Sequence, residues 1–488
     1  MAYDLSFVFM TVAISGLPLA ISKLVSELNE EHDDHGITQV LKVTLIASAC
    51  LGLLISVVLF LVAPALTSYS LKDPRALLSL RYMAPALFFI FMMAPLRGYF
   101  QGLQLMIPRA LSDTIEQIAR VLAIIVLVLW WRSGGIEFAA AGAALGISMG
   151  AAVAFAYLIW SYLRHRDRPD SIPANQQSNV EILLRVTRLA FPIIMGSLIW
   201  PLMRFADTLI IHSRLMTAGL SANRATELFG QFSGQAGPVI NLPSILTVAL
   251  AASLVPSISA SVRRENFPLL QSQTNLALKI SLIIGLPATV GLFLLGTPVA
   301  TLLYGNPEAG AVIAAYAWTI LFLLLYQTST AILQGAGVLI LPVVSMVLGV
   351  ITKAGLTWWL CALPTIHVLG AGWGTAIGIC LTTVINLFSL YRRFHLKPDL
   401  RGLVVAPIIA TLIMAGAILL GYPLLDSMFS GYIAISLSGI ILIAGLLYLS
   451  ILMVCGCFSR EELLSIPRLG KWFVALLVIL KIWKEEVE

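Results

Sequence analysis

Two pairs of opposite charges sit inside otherwise apolar stretches of this chain. Glu116 and Arg120 are spaced i,i+4, and Arg204 and Asp207 are spaced i,i+3, so each pair shares one face of a helix. Lys353 stands in a third apolar stretch with no carboxylate of its own, and Arg97 leads the segment Gly98-Tyr-Phe-Gln-Gly102, which reads as a turn. Groups of this kind bind anions, Arg through paired hydrogen bonds and Lys as a point charge. Gln101, Gln117, Gln334 and Asn241 add neutral donors and acceptors. Each feature also has a plainer role. The charge pairs can neutralise themselves and hold helices together, Lys353 can snorkel to the membrane face, and each Gln can bridge two helices. The plainer role is preferred for Glu116 and Arg120, at the end of their stretch, and a binding role for the deeper Arg204 and Asp207. The six histidines (with His212 and His367 at span boundaries) have no metal spacing, and Cys455-Gly-Cys457 reads as inert membrane thiols, so no metal is expected.

The elements that hold these groups must be membrane helices. Of 488 residues 59% are hydrophobic and 11% charged, and the mean hydropathy is +0.95. A soluble domain carries about 25% charged residues, so no water-facing surface could be made here. Apolar stretches long enough to cross about 30 Å as helix lie near 4–25, 43–66, 81–98, 112–131, 137–162, 187–212, 236–261, 280–303, 310–333, 338–360, 368–391, 402–422 and 431–455. The fold class is therefore an all-α polytopic membrane protein of about 13 transmembrane helices. The formal charge is +6, but the basic residues cluster at span ends rather than forming a nucleic-acid patch. One set of alternate loops carries Arg97 and Arg109, Arg164, Arg166 and Arg168, Arg263 and Arg264, and Arg392, Arg393 and Lys397. The other set holds Lys72 and Arg75, Arg132, and Arg214 and Arg224, followed by three loops with no Lys or Arg. The first set, and the C-terminus with Arg460, Arg468 and Lys471, is expected in the cytoplasm.

The chain repeats itself. Gln101-Gly102, Pro108 and Arg120 recur as Gln334-Gly335, Pro342 and Lys353, and Gly142-Ala143-x-x-Gly146-x-x-x-Gly150 recurs as Gly370-Ala371-x-x-Gly374-x-x-x-Gly378. A weaker echo pairs Pro18-Leu-Ala-Ile-Ser with Pro256-Ser-Ile-Ser. The expected plan is two parallel six-helix repeats, the first lacking its opening helix, plus two C-terminal helices. This gives an N-terminal lobe over 1–163, a basic linker over 164–182, a C-terminal lobe over 183–396, a helix pair over 397–456 and a cytoplasmic amphipathic tail over 457–488. Arg120 and Lys353 fall at matching places, so a shared role in a central cleft is expected of them. The glycines have helix-packing spacing.

The segments Gly16-Leu-Pro-Leu-Ala-Ile-Ser-Lys-Leu-Val-Ser-Glu27, 97–121, 240–259 and 459–470 resemble the multidrug/oligosaccharidyl-lipid/polysaccharide flippase superfamily. Within it the likeness is to the stage V sporulation protein B and YtgP-type group, related to the lipid II flippases. Members begin with one further helix, and a misassigned start codon is the preferred reason for its absence here. The resemblance implies a transporter, not an enzyme, with a MATE-like two-lobe bundle in the bacterial inner membrane. Its cargo would be an undecaprenyl-pyrophosphate-linked sugar, most simply the peptidoglycan precursor lipid II. The cavity residues expected on this basis are Arg97, Arg120, Arg204, Lys353, Glu116, Gln101 and Gln117, cations for the pyrophosphate and amides for the sugar. No Walker A motif is present, and no cofactor is expected. An ion gradient or the membrane potential would supply the drive, with Na+ or H+ as coupling ion and Asp207 as its candidate ligand. A drug exporter, a membrane-embedded glycan polymerase or ligase and, more weakly, an ion channel are the rival readings. The polymerase or ligase would need a large outer loop; the longest here, near 213–235, carries Arg214, Arg224 and Glu227 without a catalytic pairing.

Overall fold

The computed structural model describes residues 2–67, 75–165, 178–394, 404–429 and 432–455, and among these it is helical, with no strand. The helices are α1 (Ala2–Thr11), α2 (Leu17–Glu30), α3 (Asp34–Ala65), α4 (Ala76–Gly102), α5 (Met106–Trp131), α6 (Ile136–His165) and α7 (Asn179–Thr217). There follow α8 (Ala222–Gly230), α9 (Gly237–Asn241), α10 (Ser244–Arg263), α11 (Phe267–Tyr304), α12 (Ala309–Gly335), α13 (Ile340–Leu360), α14 (Leu369–Phe394), α15 (Ala406–Met428) and α16 (Ile433–Val454). Eleven helices are long and apolar enough to cross a membrane, or twelve if the bent pair 222–241 and 244–251 is one span. The remaining stretch of the thirteen expected, 187–212, is covered by α7, a single helix of 39 residues. The chain is a multi-pass membrane protein.

Contacts divide it into two compact units, Met1–Leu209 and Ile210–Glu488. In the first, α2, α3 and α6 pack on α4, and α5 packs on α6. In the second, α10, α11 and α14 pack on α12, and α13 packs on α14. The central helices are buried where the outer ones are not: half of the apolar stretch of α4 is covered, against 11% in α5. The C-terminal pair lies on α11, where the Tyr448 hydroxyl donates to Ile283 O at 2.9 Å. The expected tail over 457–488, Cys457 and most of the linker over 164–182 lie outside the described residues.

The repeat is built into the backbone, at an offset of 233 residues from α2 through α5 and 228 at the glycine stripes of α6 and α14. His32 and Glu265 take left-handed conformations (φ 55° and 53°) where α2 and α10 end, and Gln104 and Gly337 do the same (φ 60° and 78°) after α4 and α12. The next helices are capped alike: Asp33 accepts from Gly36 N at 2.8 Å, and Asn266 accepts from Leu269 N at 3.1 Å. Close backbone approaches match as well. A methyl placed on Gly102 would lie 2.7 Å from Ser22 O and 2.6 Å from Val25 Cβ, and one on Gly335 would lie 2.7 Å from Val255 O and 3.0 Å from Ile258 Cβ. These contacts pair Ser22 with Val255 and Val25 with Ile258, correcting the weaker echo: in this register Pro18 corresponds to Ala251, not Pro256.

Three local expectations are revised. Gly98-Tyr-Phe-Gln-Gly102 is not a turn but the last part of α4; Gly98 is there because a methyl would meet Pro18 O at 2.8 Å. The segment near 213–235, expected as the longest of the outer loops, is mostly helical, since α7 continues to Thr217 and Ser221 caps α8 by accepting from Arg224 N. The single span expected over 236–261 is also interrupted: a π-helical turn over Gln231–Ala236 precedes α9, and a 51° bend at Leu242-Pro243 precedes α10.

Candidate functional site

The charged residues of the first unit meet where α4 ends and α5 begins. Arg97 Nη2 lies 2.8 Å from Asp113 Oδ1 and 2.8 Å from Glu116 Oε2, and its Nε donates to Ser112 Oγ at 3.2 Å. Arg120 donates from Nη2 to Glu116 Oε1 and from Nη1 to Gln117 Oε1, the latter at 3.4 Å. Glu116 therefore serves two guanidiniums at once, one on each carboxylate oxygen. Arg97 is 9% exposed and Glu116 7%, so the pairing is made away from water. With two cations and two anions the cluster is neutral. Such an arrangement can exist in an apolar bundle because each charge has a partner; removing one would strand another. Two polar atoms remain open: Arg120 Nε and Gln101 Oε1 are buried with no hydrogen-bond partner among the described residues.

α5 is held there by glycine contacts with α6. Methyls on Gly142, Gly146 and Gly150 would meet Leu127, Ile124 and Arg120 respectively, the last at 2.8 Å from Arg120 Cβ. In the second unit Gly370, Gly374 and Gly378 meet Leu360, Thr357 and Lys353 in the same way, the last at 2.8 Å from Lys353 Cβ. The two cations thus occupy equivalent places under the third glycine of each stripe. Lys353 is 2% exposed, so its side chain does not run out along the surface as a snorkelling lysine would.

Around Lys353 the surroundings differ from those of Arg120. Thr330 stands in the place of Arg97, Met346 of Asp113 and Gly349 of Glu116, while Ser345 keeps the place of Ser112. The second unit fills this space with neutral hydrogen bonds. Ser345 Oγ donates to Asn386 Oδ1 at 2.6 Å, Asn386 Nδ2 donates to Thr330 Oγ1 at 3.1 Å, and Thr382 Oγ1 donates to Ser345 O at 3.1 Å. A methyl on Gly349 would lie 2.0 Å from Thr382 Oγ1 and 2.7 Å from Gly378 O, so no carboxylate side chain fits there.

The remaining expected residues fall elsewhere. Arg204 and Asp207 lie on α7 within the first unit. Asp207 is 7% exposed, and the Arg204 guanidinium carbon stands 6.0 Å from the Phe7 ring centroid, a cation–π distance. His212 is buried inside α7 rather than at a span boundary, because the helix runs on to Thr217. Gln334 is exposed at the end of α12, and Asn241 donates to its own helix at Gly237 O, 2.8 Å away. Sequence reasoning missed Asp113 and Ser112, which reach Arg97 only through the α4–α5 turn. It also missed a polar cluster in the second unit, where Arg224 pairs with Glu227 at 2.7 Å and with Glu308, and Gln231 donates to Glu308 at 3.1 Å. The Arg224 guanidinium, and then the Gln231 amide, hold the Glu308 carboxyl below the usual carboxylate range.

Comparison with known proteins bears on both the bundle and its contents. A family model described as polysaccharide biosynthesis protein matches residues 1–262. Stage V sporulation protein B of Bacillus subtilis (strain 168) is 26% identical over 97% of this chain and 91% of its own. Lipid II flippase MurJ of the same organism is 28% identical over 80% of this chain and 75% of its own. Among solved structures, an inward-facing multidrug resistance MATE family transporter of the MOP superfamily superposes with a TM-score of 0.68 at 18% identity, covering 80% of this chain and 89% of that one. Lipid II flippase MurJ in an inward closed conformation superposes with a TM-score of 0.61 at 18% identity, covering 92% of each chain. The fold is MATE/MurJ-like.

Proposed function

Because this chain belongs to the polysaccharide biosynthesis protein family, we propose that it moves a polyprenyl-diphosphate-linked sugar precursor, in the simplest case lipid II, from the cytoplasmic to the outer leaflet of a bacterial inner membrane. The relatives of similar length include a protein named for that activity. The observation that carries the reading is the buried Arg97–Glu116–Arg120 cluster with its unpartnered Arg120 Nε. A diphosphate offers several oxygens with the same acceptor chemistry as the Glu116 carboxylate. It can take over Arg120 while Glu116 keeps Arg97 on its other oxygen, so that neither anion is left without a cation. Gln101, whose Oε1 is buried without a partner, would receive a sugar hydroxyl.

The mechanism is alternating access, with Arg120 and Lys353 supplying one cation from each unit and Arg204 a third. Asp207 is the proposed ligand of the coupling ion, Na+ or H+, driven by the ion gradient or membrane potential. The loops rich in Arg face the cytoplasm, and so does the C-terminus. The polyprenyl tail stays in lipid, beside α15 and α16.

Purified protein in vesicles with fluorescent lipid II tests this. The expected result is transfer between leaflets with no chemical change in the lipid. An altered lipid product would turn the reading to a polymerase or ligase, and transport of cationic drugs in place of lipid II would turn it to an exporter. In cells depleted of their lipid II flippase, Arg120→Ala, Arg204→Ala and Lys353→Ala should each lose rescue at wild-type protein levels. Full rescue by all three would remove these cations from the site.

A further inference from the structure

At the end of the second unit that carries Arg263, Arg264, Arg392 and Arg393, a cleft of about 640 Å³ opens between the start of α11 and the end of α14. Phe267, Gln271, Ser272 and Asn275 line it from α11, and Arg393 and Phe394 from α14. We propose that this cleft holds the headgroup of a hydroxyl-bearing anionic phospholipid, of the phosphatidylglycerol class, as a resident lipid and not as cargo.

Three observations converge on that chemistry. Arg393 is the one charged group among the described lining residues, and it is positive. Asn275 Oδ1 is buried without a hydrogen-bond partner, and as an acceptor it calls for a donor, which a phosphodiester lacks and a glycerol hydroxyl supplies. Phe267, 52% exposed, and Phe394 give the apolar wall that the glycerol–acyl junction requires. Phosphate, hydroxyl and hydrocarbon are thus each matched by a separate part of one cleft.

The first unit lacks the same provision. At the matching positions Asp34 replaces Phe267 and Lys42 replaces Asn275. Gln39, in the place of Ser272, is taken up by Asn179 at the start of α7, at 3.0 Å. The site therefore belongs to one copy of the repeat, and it shares no residue with the charged cluster of the other.

Native mass spectrometry of the full chain in detergent tests this, with phosphatidylglycerol, phosphatidylcholine and glycerol 3-phosphate as separate probes. One phosphatidylglycerol should be retained per chain, about fivefold more than phosphatidylcholine, the factor expected of one arginine near a lipid phosphate. Arg393→Gln should remove that preference, and Asn275→Leu should lower retention of phosphatidylglycerol without affecting phosphatidylcholine. Arg392→Gln, on the same turn but outside the lining, should change neither. Both Arg393 and Arg392 are exposed, so these variants fold and the readout stands on binding alone. Equal loss in Arg392→Gln and Arg393→Gln would overturn the site in favour of a diffuse basic surface. Retention of glycerol 3-phosphate as tight as that of the lipid would overturn the assignment to a membrane lipid. Lipid II flipping by Arg393→Gln at a normal rate leaves the transport reading untouched, so the two proposals fail separately.

Discussion

The node around Arg120 and the node around Lys353 occupy the same place in two copies of one bundle, yet the first sets its arginine among carboxylates and the second sets neutral hydrogen-bonding side chains beside its lysine. From α2 to α5 the left-handed turns, helix caps and close glycine contacts recur at the 233 offset, and the glycine stripes of α6 and α14 recur at 228. The side chains in the node differ. Helix positions are fixed by contacts that tolerate no substitution, since a Cβ at Gly102 or Gly335 would collide with backbone. The space between the helices is free to change as long as every polar group in it is paired. Duplication has thus preserved the frame and let the chemistry diverge.

The largest effect should come from breaking the ionic node at its shared member. Glu116→Ala leaves Arg97 with Asp113 alone and takes from Arg120 its carboxylate, and is expected to cost about 3–5 kcal/mol, read as a fall in the thermal midpoint of the purified protein. Converting the whole node, with Glu116→Leu, Arg97→Met and Arg120→Met together, should return most of that stability and still abolish lipid II flipping. If the triple variant flips lipid II, the charges serve only the fold.

The neutral hydrogen bonds of the second node should be less sensitive. Asn386→Ala frees Ser345 and Thr330 and is expected to cost about 1–3 kcal/mol in the same measurement, with no charge left behind. A loss as large as that of Glu116→Ala would erase the proposed difference between the nodes. Gly349→Ala tests why the second node has no carboxylate: the added methyl meets Thr382, at an expected cost of about 1–3 kcal/mol, and Thr382→Ser does not relieve it because the hydroxyl remains. Smallest of all is the turn. Gly337→Gln should cost about 1 kcal/mol and Gln104→Gly should gain a similar amount, since both residues hold a left-handed backbone.

Much of the frame was legible in the sequence because it depends on composition and on short, ordered motifs. Apolar runs mark the helices, and the Gln-Gly and Gly-x-x-x-Gly repeats mark the duplication. The node was only half legible. Glu116 and Arg120 announce themselves by i,i+4 spacing, but Arg97 meets Glu116 and Asp113 only once the three-residue turn over 103–105 folds α5 back on α4. Asn386 gave no signal, since its partners Ser345 and Thr330 lie far off in the chain. Glycines misled in one place. Gly98 and Gly102 were read as turn residues, whereas they thin a helix so that α2 can approach it, and composition alone does not separate these uses.

The seat of Arg120 beneath Gly150 has a mechanical consequence. With Glu116 O and Arg120 Cβ both in line with that glycine, α5 cannot slide along α6 without collision. The arginine is fixed at its root and mobile only at its tip, and so whatever displaces the cation over more than a side chain's length must move both helices as a single lever.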